Sequence, residues 1–207
     1  FTGNVATSLI VRTVKGVKRP ALATPMPGAK QNFLLLDCGA NAECRPDMLN
    51  AFGTMGSVYA EKVMGRKDPK VALVNNGAED TKGTPTYREA HQLLKANPCI
   101  HFAGNIEPRY ILDGEVDVVV CDGFVGNTVL KMAEGLYHIN KKLGGGNAFW
   151  DAMNYENVGG TPVLGVNAPV VIGHGISSPK AIRSMILSAE RCITADLTAK
   201  LQRAFKN

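Results

Sequence analysis

Four short apolar runs, each closed by a small polar turn, constrain the fold of this chain most strongly. The runs occupy residues 32–41, 70–77, 99–105 and 116–123. Segments with helical periodicity at 46–65, 86–98 and 127–143 follow three of them. Uninterrupted apolar strands that alternate with helices are typical of a parallel sheet covered on both faces. The sequence therefore predicts an α/β fold with a mostly parallel sheet and helices on both faces, in one region over residues 1–207.

The ends of the chain carry weaker signals. Two strand-like runs lie within residues 161–172, separated by a turn at 167–169. Ser177-Ser178-Pro179 predicts the start of a long helix that continues to residue 205, because Ser caps helices and Pro is accepted in their first turn. Residues 4–17 also carry a helical pattern.

The composition is that of a globular protein with a full apolar core. The 207 residues are 45% apolar and 20% charged, and no apolar run is long enough to cross a bilayer. The first residues carry no signal-peptide pattern, so a cytoplasmic location is expected. The five cysteines do not have the spacing of a zinc site, and their odd number argues against a framework of disulfides. Reduced thiols are therefore expected. Cys38 and Cys121 are interpreted as buried apolar residues rather than nucleophiles.

A modest basic excess narrows the choice of partners. The chain has 23 basic and 18 acidic residues, a net charge of +5 and a pI near 9.0. The basic residues are scattered and not interleaved with aromatic residues. This pattern favours an acidic protein partner, an anionic substrate or an anionic membrane surface over nucleic acid. The alternative is a slightly basic solvated surface without such a partner.

The polar turns after the four apolar runs predict a binding site. They lie at 37–41, 75–80, 104–107 and 122–127. Ligands of open α/β sheets bind at the carboxyl ends of parallel strands, where these turns would meet. Gly, Asn and Asp also occur in such turns for conformational reasons alone, since they tolerate positive φ.

Several familiar motifs are absent from the sequence. No turn completes a GxGxxG fingerprint, and no Walker A, HExxH or GxSxG pattern occurs. The sequence therefore gives no support for a dinucleotide, a P-loop nucleotide, a catalytic zinc or a serine nucleophile. Neither a cofactor nor a metal is predicted.

Phosphate is a better candidate, since it requires only backbone amides at a helix start and a cation. Gly123 and Gly126 would let the backbone approach an anion, and Asn127 would cap the helix or donate its amide. Lys82 would supply the charge, with Glu79 and Asp80 orienting it. The alternative for Lys82 is a solvated loop lysine.

A second turn of similar character precedes the last helix. His174 lies between two glycines, and Ser177 follows at the helix start. An anion site and an ordinary capped helix both remain open for this turn. The other histidines, His91, His101 and His138, are expected only in surface or packing roles.

Motifs along nearly the whole chain resemble the bacterial phosphate acyltransferase (PlsX) family. They are RPALATPMPG, FLLLDCGANAECRP, MGSVYAEKVMG, KVALVNNGAEDTKGTP, HFAGNIEPR, VDVVVCDGFVGNTVLKMAEG and NVGGTPVLGVNAPVVIGHGISSPKAI. The resemblance implies an enzyme that moves a fatty acyl group from acyl carrier protein to inorganic phosphate, giving acyl phosphate for phospholipid synthesis. It also implies a homodimer with a fold like those of phosphotransacetylase and isopropylmalate-type dehydrogenases.

The same resemblance implies features outside the central sheet. The N-terminal part of the family fold is expected to be missing from this chain. Peripheral contact with the cytoplasmic membrane is implied, through a segment at about 136–158 that is shorter here than is usual in the family. Phe149, Trp150 and Met153 either make that contact or pack under a loop.

These observations lead to one hypothesis for the site. Lys82 and Asn127 are the candidate catalytic residues. The candidate substrate-binding residues are Asn41, Asn76, Glu79, Asp80, Asn105, Asp122, Gly123, Gly126, His174 and Ser177. Two other functions remain open, a phosphotransacetylase that uses acyl-CoA and a non-catalytic membrane-associated scaffold of lipid synthesis.

Overall fold

A single seven-stranded sheet forms the centre of the molecule. The computed structural model describes residues 7–154, 156, 160–173, 175 and 177–206. Its strands are β1 (Ala21–Met26), β2 (Phe33–Leu36), β3 (Lys70–Val74), β4 (His101–Ile106), β5 (Val118–Val120), β6 (Thr161–Leu164) and β7 (Val170–Ile172). Their order across the sheet is β4-β3-β5-β2-β1-β6-β7.

The sheet is mostly parallel, as predicted. β4, β3, β5 and β2 are adjacent in that order and parallel to one another. β1 runs antiparallel to both β2 and β6, so β6 points the same way as the parallel strands, and β7 is reversed again. β1 was not predicted from its local pattern, because ALATPM contains a proline and lacks a β-branched apolar run.

Six α-helices accompany these strands within the described residues. They are α1 (Pro46–Lys62), α2 (Pro85–Lys95), α3 (Gly123–Lys142), α4 (Ala148–Ala152), α5 (Pro179–Thr194) and α6 (Leu197–Ala204), with a π-helical turn at Thr7–Val11 and a 3-10 helix at Pro108–Asp113. Four of the helices begin with a side-chain cap. The predicted cap of the last long segment is confirmed, since Ser178 Oγ accepts from the amide of Ala181 at 3.3 Å.

Helices cover both faces of the sheet, which confirms the predicted layers. Alternate residues of β2 point to opposite faces, as strand geometry requires. Leu34 and Leu36 pack with residues of α1, α2 and α6 in one core. Phe33 and Leu35 pack with residues of α3 and the 3-10 helix in the other. β2, β3 and β5 are therefore buried on both sides, whereas the edge strand β4 is partly exposed.

Three helix boundaries differ from the sequence prediction. The described part of the predicted helix at 4–17 is only the π-helical turn Thr7–Val11. α3 begins at Gly123 rather than 127. The predicted helix up to residue 205 is broken, because Asp196 adopts a left-handed conformation with φ of 50°. The break turns α6 so that Leu197 and Leu201 join the core beneath α1.

We predict that Asp196→Gly is tolerated better than Asp196→Val. Valine at a left-handed position costs about 1–2 kcal/mol, whereas glycine adopts that conformation freely. Urea denaturation of the two variants measures the difference. At Glu190, an exposed residue within α5, the order should reverse, because glycine is the poorer helix former. Valine more stable than glycine at both positions would contradict the break.

Candidate functional site

The turns after β2, β3, β4 and β5 meet at one edge of the sheet. The parallel register places Leu36 beside Val120, and Val120 beside Leu73. Val74 is in turn paired with Ile106 at the end of β4. The structure therefore brings together the four turns that the sequence singled out.

The carboxylate of Asp37 is the most heavily bonded group at this edge. Its side chain is fully buried. Oδ1 accepts hydrogen bonds from the amides of Leu22, Ala40 and Gly39 at 2.9, 3.0 and 3.3 Å. Oδ2 accepts from the backbone amide of Asn41 at 2.8 Å and from its side-chain Nδ2 at 2.9 Å. Burial raises the pKa of Asp37, and these hydrogen bonds oppose that rise.

Helix α3 packs directly on the loop at 37–41 that Asp37 organises. The amide of Gly123 donates to the carbonyl of Asn41 at 2.7 Å. A Cβ at Gly123 would lie 2.7 Å from the same oxygen, and one at Gly126 would collide with the carbonyl oxygen of Asp37. Both glycines are therefore required for close packing of α3 on this loop.

Three backbone amides at the start of α3 donate to protein oxygens. Asp122 Oδ1 accepts from the amide of Val125 at 2.9 Å, so Asp122 and not Asn127 caps the helix. The amide of Gly126 donates to the carbonyl of Asp122 at 3.0 Å, and that of Gly123 is bound to Asn41. Protein oxygens therefore accept from the amides of Gly123 and Gly126, and the close approach of an anion to this turn stays a prediction.

Asn127 lies one turn into α3 with an exposed side chain. Its Oδ1 is 3.7 Å from the position that a Cβ on Gly39 would take. Gly39 has φ of 127°, so the loop passes close to Asn127 in a conformation that favours glycine. Asn127 therefore faces the Asp37 loop at the carboxyl edge.

Tyr87 joins the starts of α2 and α3, a contact that no local sequence signal indicates. Its hydroxyl donates to Asp122 Oδ2 at 2.6 Å and accepts from the amide of Asp122 at 3.1 Å. Burial and the bond to this carboxylate raise the pKa of Tyr87. Asp122 thus has both oxygens engaged by the protein, which fits the role of a positioning residue.

Lys82 lies in the turn after β3, where hydrogen bonds hold its backbone on both sides. Asn75 Nδ2 donates to the carbonyl of Lys82 at 3.1 Å, and the Lys82 amide donates to the carbonyl of Glu79 at 3.1 Å. That carbonyl also accepts from Asn105 Nδ2 at 2.8 Å. The Lys82 side chain is exposed, and among the residues that the structure describes no carboxylate forms an ion pair with it.

His91 holds two of the predicted site residues, although the sequence suggested only a surface or packing role for it. The ring is buried on α2. Nδ1 donates to Asn105 Oδ1 at 2.9 Å, since the amide nitrogen of Asn105 is engaged elsewhere, and Nε2 lies 3.3 Å from Asp80 Oδ1. Asp80 also pairs with Lys95 at 2.8 Å, which lowers the pKa of Asp80. Asp80 therefore orients His91 and Lys95, and not Lys82 as predicted.

The remaining predicted residues are distributed as follows. Asn76 is exposed beside Lys82's turn, and its amide donates to Asn75 Oδ1 at 2.9 Å. Ser177 follows β7, which runs opposite to the parallel strands, so the turn that contains Ser177 begins at the opposite edge of the sheet. Ser177 and Asn127 nevertheless line the same cavity. His174 lies outside the described residues.

The cysteines and the metal-ligand types do not form a reactive centre in the described part of the chain. All five cysteines are free. Cys38 and Cys121 are buried, and burial raises the pKa of Cys38 to about 12. A thiolate nucleophile is therefore disfavoured at either position. No group of three His, Cys, Asp or Glu residues is arranged for a metal among the described residues.

Three residues of the segment at 136–158 that were considered for membrane contact pack inward. Met153 is buried, and Phe149 and Trp150 pack against the core under α3. Large exposed apolar side chains lie on α3 at Phe124, Met132, Leu136 and Ile139, and at Leu143 directly after it, so the segment also presents apolar residues to solvent. No described helix combines the length and hydropathy that crossing a membrane requires.

Comparisons with known proteins agree with this architecture. The model of the family described as "Fatty acid synthesis protein" matches residues 3–148. The chain is 44% identical over 197 residues to the phosphate acyltransferase of Alkaliphilus oremlandii, covering 86% of this chain and 58% of that protein. It is 39% identical over 229 residues to the phosphate acyltransferase of Lactococcus lactis subsp. cremoris, covering 100% of this chain and 69% of that protein. It thus spans about 60% of the length of the curated relatives it matches.

A solved structure shares the fold. EutD phosphotransacetylase from Staphylococcus aureus superposes with a TM-score of 0.61 at 20% identity, over 89% of this chain and 58% of that one. At this level of identity the likeness shows the fold alone.

We predict that Asp37→Asn destabilises the protein by at least about 2 kcal/mol. Both oxygens of Asp37 accept hydrogen bonds, so the side-chain nitrogen of asparagine would face N–H donors in either orientation. Each buried donor left without an acceptor costs about 1–3 kcal/mol. The free energy of unfolding in urea measures the effect. Asp113→Asn, at an exposed position, serves as the matched control. A change within about 0.5 kcal/mol, the usual range for surface substitutions, would contradict the organising role of Asp37.

Proposed function

The chain belongs to the fatty acid synthesis protein family, and from this premise we propose that it carries the active site of a phosphate acyltransferase. The proposed reaction moves a fatty acyl group from acyl carrier protein to inorganic phosphate and yields acyl phosphate for phospholipid synthesis. Relatives that are 39–44% identical to this chain and named phosphate acyltransferase support the assignment.

One geometric observation supports the proposal most directly. Lys82 and Asn127 follow neighbouring strands, β3 and β5, and both lie at the carboxyl edge of the sheet. Tyr87 ties the helix after the Lys82 turn to Asp122, the cap of the helix that carries Asn127. A cation and an amide side chain are thus presented on neighbouring, firmly held elements.

The main requirement of this reaction is that the protein places phosphate next to the thioester. A phosphate oxygen attacks the thioester carbon, a C–O bond forms, and the C–S bond breaks. The sulfur leaves with the electron pair of that bond and takes up a proton as the free thiol. Phosphate near neutral pH is partly a dianion, so no strong protein base is needed. The protein must hold phosphate near the acyl carbon and stabilise the negative charge that develops on the carbonyl oxygen.

Lys82 and Asn127 suit these two tasks. We assign Lys82 to phosphate and the developing charge, since its ammonium group is exposed at the site edge. Asn127 orients an acyl or phosphate oxygen through its side-chain amide. Asp122 positions α3, and Glu79 fixes the Lys82 turn through its backbone carbonyl. Asn41 and Asn105 use their amide nitrogens within the protein and shape the adjacent turns.

The proposed partners are acyl carrier protein, a second copy of this chain and the cytoplasmic membrane surface. The basic net charge of +5 supports an acidic donor protein and an anionic surface. Two apolar stripes support further contacts outside the chain. One consists of the exposed apolar side chains of α3 from Phe124 to Ile139, and the other consists of Ile182, Ile186 and Ile193 on α5.

A phosphotransacetylase acting on acyl-CoA is the second candidate, because a phosphotransacetylase shares the fold. The two functions differ in the donor. Purified protein should form acyl phosphate from palmitoyl-acyl carrier protein, trapped as the hydroxamate, at least tenfold faster than from acetyl-CoA at equal concentration. A preference for acetyl-CoA would favour the second candidate.

We predict that Lys82→Ala lowers kcat/KM for phosphate by about two to three orders of magnitude, the usual cost of removing one charge-stabilising donor. Lys82→Arg should recover part of the loss, since it keeps the charge. Lys67→Ala removes another exposed lysine away from the site edge and should leave the rate unchanged.

Wild-type acyl phosphate formation by Lys82→Ala would show that Lys82 has no such role. A non-catalytic scaffold makes a different prediction at the level of growth. The double variant Lys82→Ala, Asn127→Ala would then still complement a deletion strain, whereas the acyltransferase function requires that it fail. Expression of the folded double variant, checked by circular dichroism, is the control.

A further inference from the structure

A cavity of about 210 Å³ lies on the α3 side of the sheet, next to the proposed site. β1 forms its floor through Leu22, Thr24 and Met26, which share one face of the strand because side chains alternate. α3 forms a wall through Asn127, Leu130, Lys131, Ala133 and Glu134. The far side is closed by Met153, Ile172 and the start of α5.

The cavity runs away from the site edge along β1. Leu22 lies at the site edge, since its amide is bound to Asp37 Oδ1 at 2.9 Å. Met26 lies at the opposite edge, paired with Phe33 at the start of β2. Leu22 and Met26 are about 13 Å apart at a strand rise of about 3.3 Å per residue. Asn127 marks the same near end on α3, and Glu134 lies about 10 Å further along that helix.

The interior of the cavity is apolar. Leu22, Met26, Leu130, Ala133, Met153 and Ile172 supply its inner surface. Its charged side chains form a pair with each other, since Lys131 Nζ lies 2.8 Å from Glu134 Oε2. Thr24 Oγ1 is 3.5 Å from Thr161 Oγ1, within reach of a shared hydrogen bond. A ligand with many polar groups would find few unengaged partners along this path, whereas a hydrocarbon chain requires none.

We infer that this cavity holds the hydrocarbon chain of the acyl group, with the reacting carbonyl at Asn127 and the methyl end towards Met26. The inference rests on the proposed function, because it assigns the apolar part of the same substrate. Three observations support it together: Asn127 belongs to both the site edge and the cavity, Leu22, Thr24 and Met26 line the cavity along the length of β1, and most of the lining is apolar. An acetyl group would leave most of this length empty, so the cavity favours a long acyl chain.

The lining residues act as specificity determinants in this arrangement. Ala133 is small and buried, and a larger side chain there would project into the cavity. Leu130 is half-buried on the same wall, so a larger ring there has more room to adjust. Both positions lie beyond Asn127 from the site edge, which leaves the reacting end unobstructed.

Binding of alkyl phosphonates tests the inference without requiring catalysis. Isothermal titration calorimetry would compare decylphosphonate, whose chain matches the length of the cavity, with butylphosphonate, which has the same headgroup and a shorter chain. The wild-type protein should bind the long chain at least tenfold more tightly. Ala133→Leu should weaken binding of decylphosphonate at least tenfold and change that of butylphosphonate by less than twofold.

Leu130→Phe provides a second narrowing variant in case Ala133→Leu does not fold. His138→Phe is its matched control, since it places the same ring at an exposed position of α3 outside the cavity. Equal affinity of the wild-type protein for the two phosphonates, or an equal loss for both chains in a folded narrowing variant, would overturn the inference.

Failure of this inference and failure of the proposed function give different results. Chain-dependent binding without formation of acyl phosphate would support the cavity and reject the acyltransferase activity. Acyl phosphate formation whose chain-length preference is unchanged by folded Ala133→Leu and Leu130→Phe variants would support the activity and reject the cavity as the acyl site.

Discussion

The buried carboxylate of Asp37 is the interaction on which the arrangement of the site depends. Three backbone amides of its own loop and one from β1 converge on it, together with the side chain of Asn41. A carboxylate has about four lone-pair positions, so donors from two elements can share one group. In a fully buried place each of these donors would be costly to leave without an acceptor. The loop therefore has one favourable arrangement, and β1 is held beside it.

The positions of α3 and the proposed acyl cavity follow from this loop. Gly123 and Gly126 allow the helix to start directly on its backbone, and Asn127 then emerges beside Gly39. On the other side of the loop, the bond to Leu22 fixes the near end of β1, which is the floor of the cavity. The same carboxylate thus positions both the proposed reacting edge and the proposed site for the acyl chain. A second network, from Asp80 through His91 to Asn105, holds the Lys82 turn in the same manner.

Much of the fold was predictable because its signals are local. The four apolar runs and their alternation with helices specify a parallel sheet covered on both faces, and Ser178 and Pro179 specify a helix start. β1 was not predictable, since its pairing with β2 and β6 depends on neighbours distant in sequence rather than on its own pattern. The break at Asp196 was also missed, because aspartate is accepted in both helical and left-handed conformations.

The meeting of the polar turns at one sheet edge was predicted, but the hydrogen bonds among them were not. Asn127, Asp122 and Lys82 lie at the expected edge, yet the helix amides expected to bind phosphate are used by Asn41 and Asp122. Side-chain partners such as Tyr87 and His91 carry no sequence signal, since they act across elements brought together only by folding.

Native-state hydrogen exchange of the ligand-free protein measures the central claim most directly. If Asp37 holds the edge as one unit, the amides of Leu22, Ala40 and Asn41 exchange as slowly as that of Leu35 in the middle of the sheet, because they open only with the surrounding structure. Exchange of Ala40 and Asn41 as fast as that of Lys67 in an exposed turn would show that the carboxylate does not organise the edge.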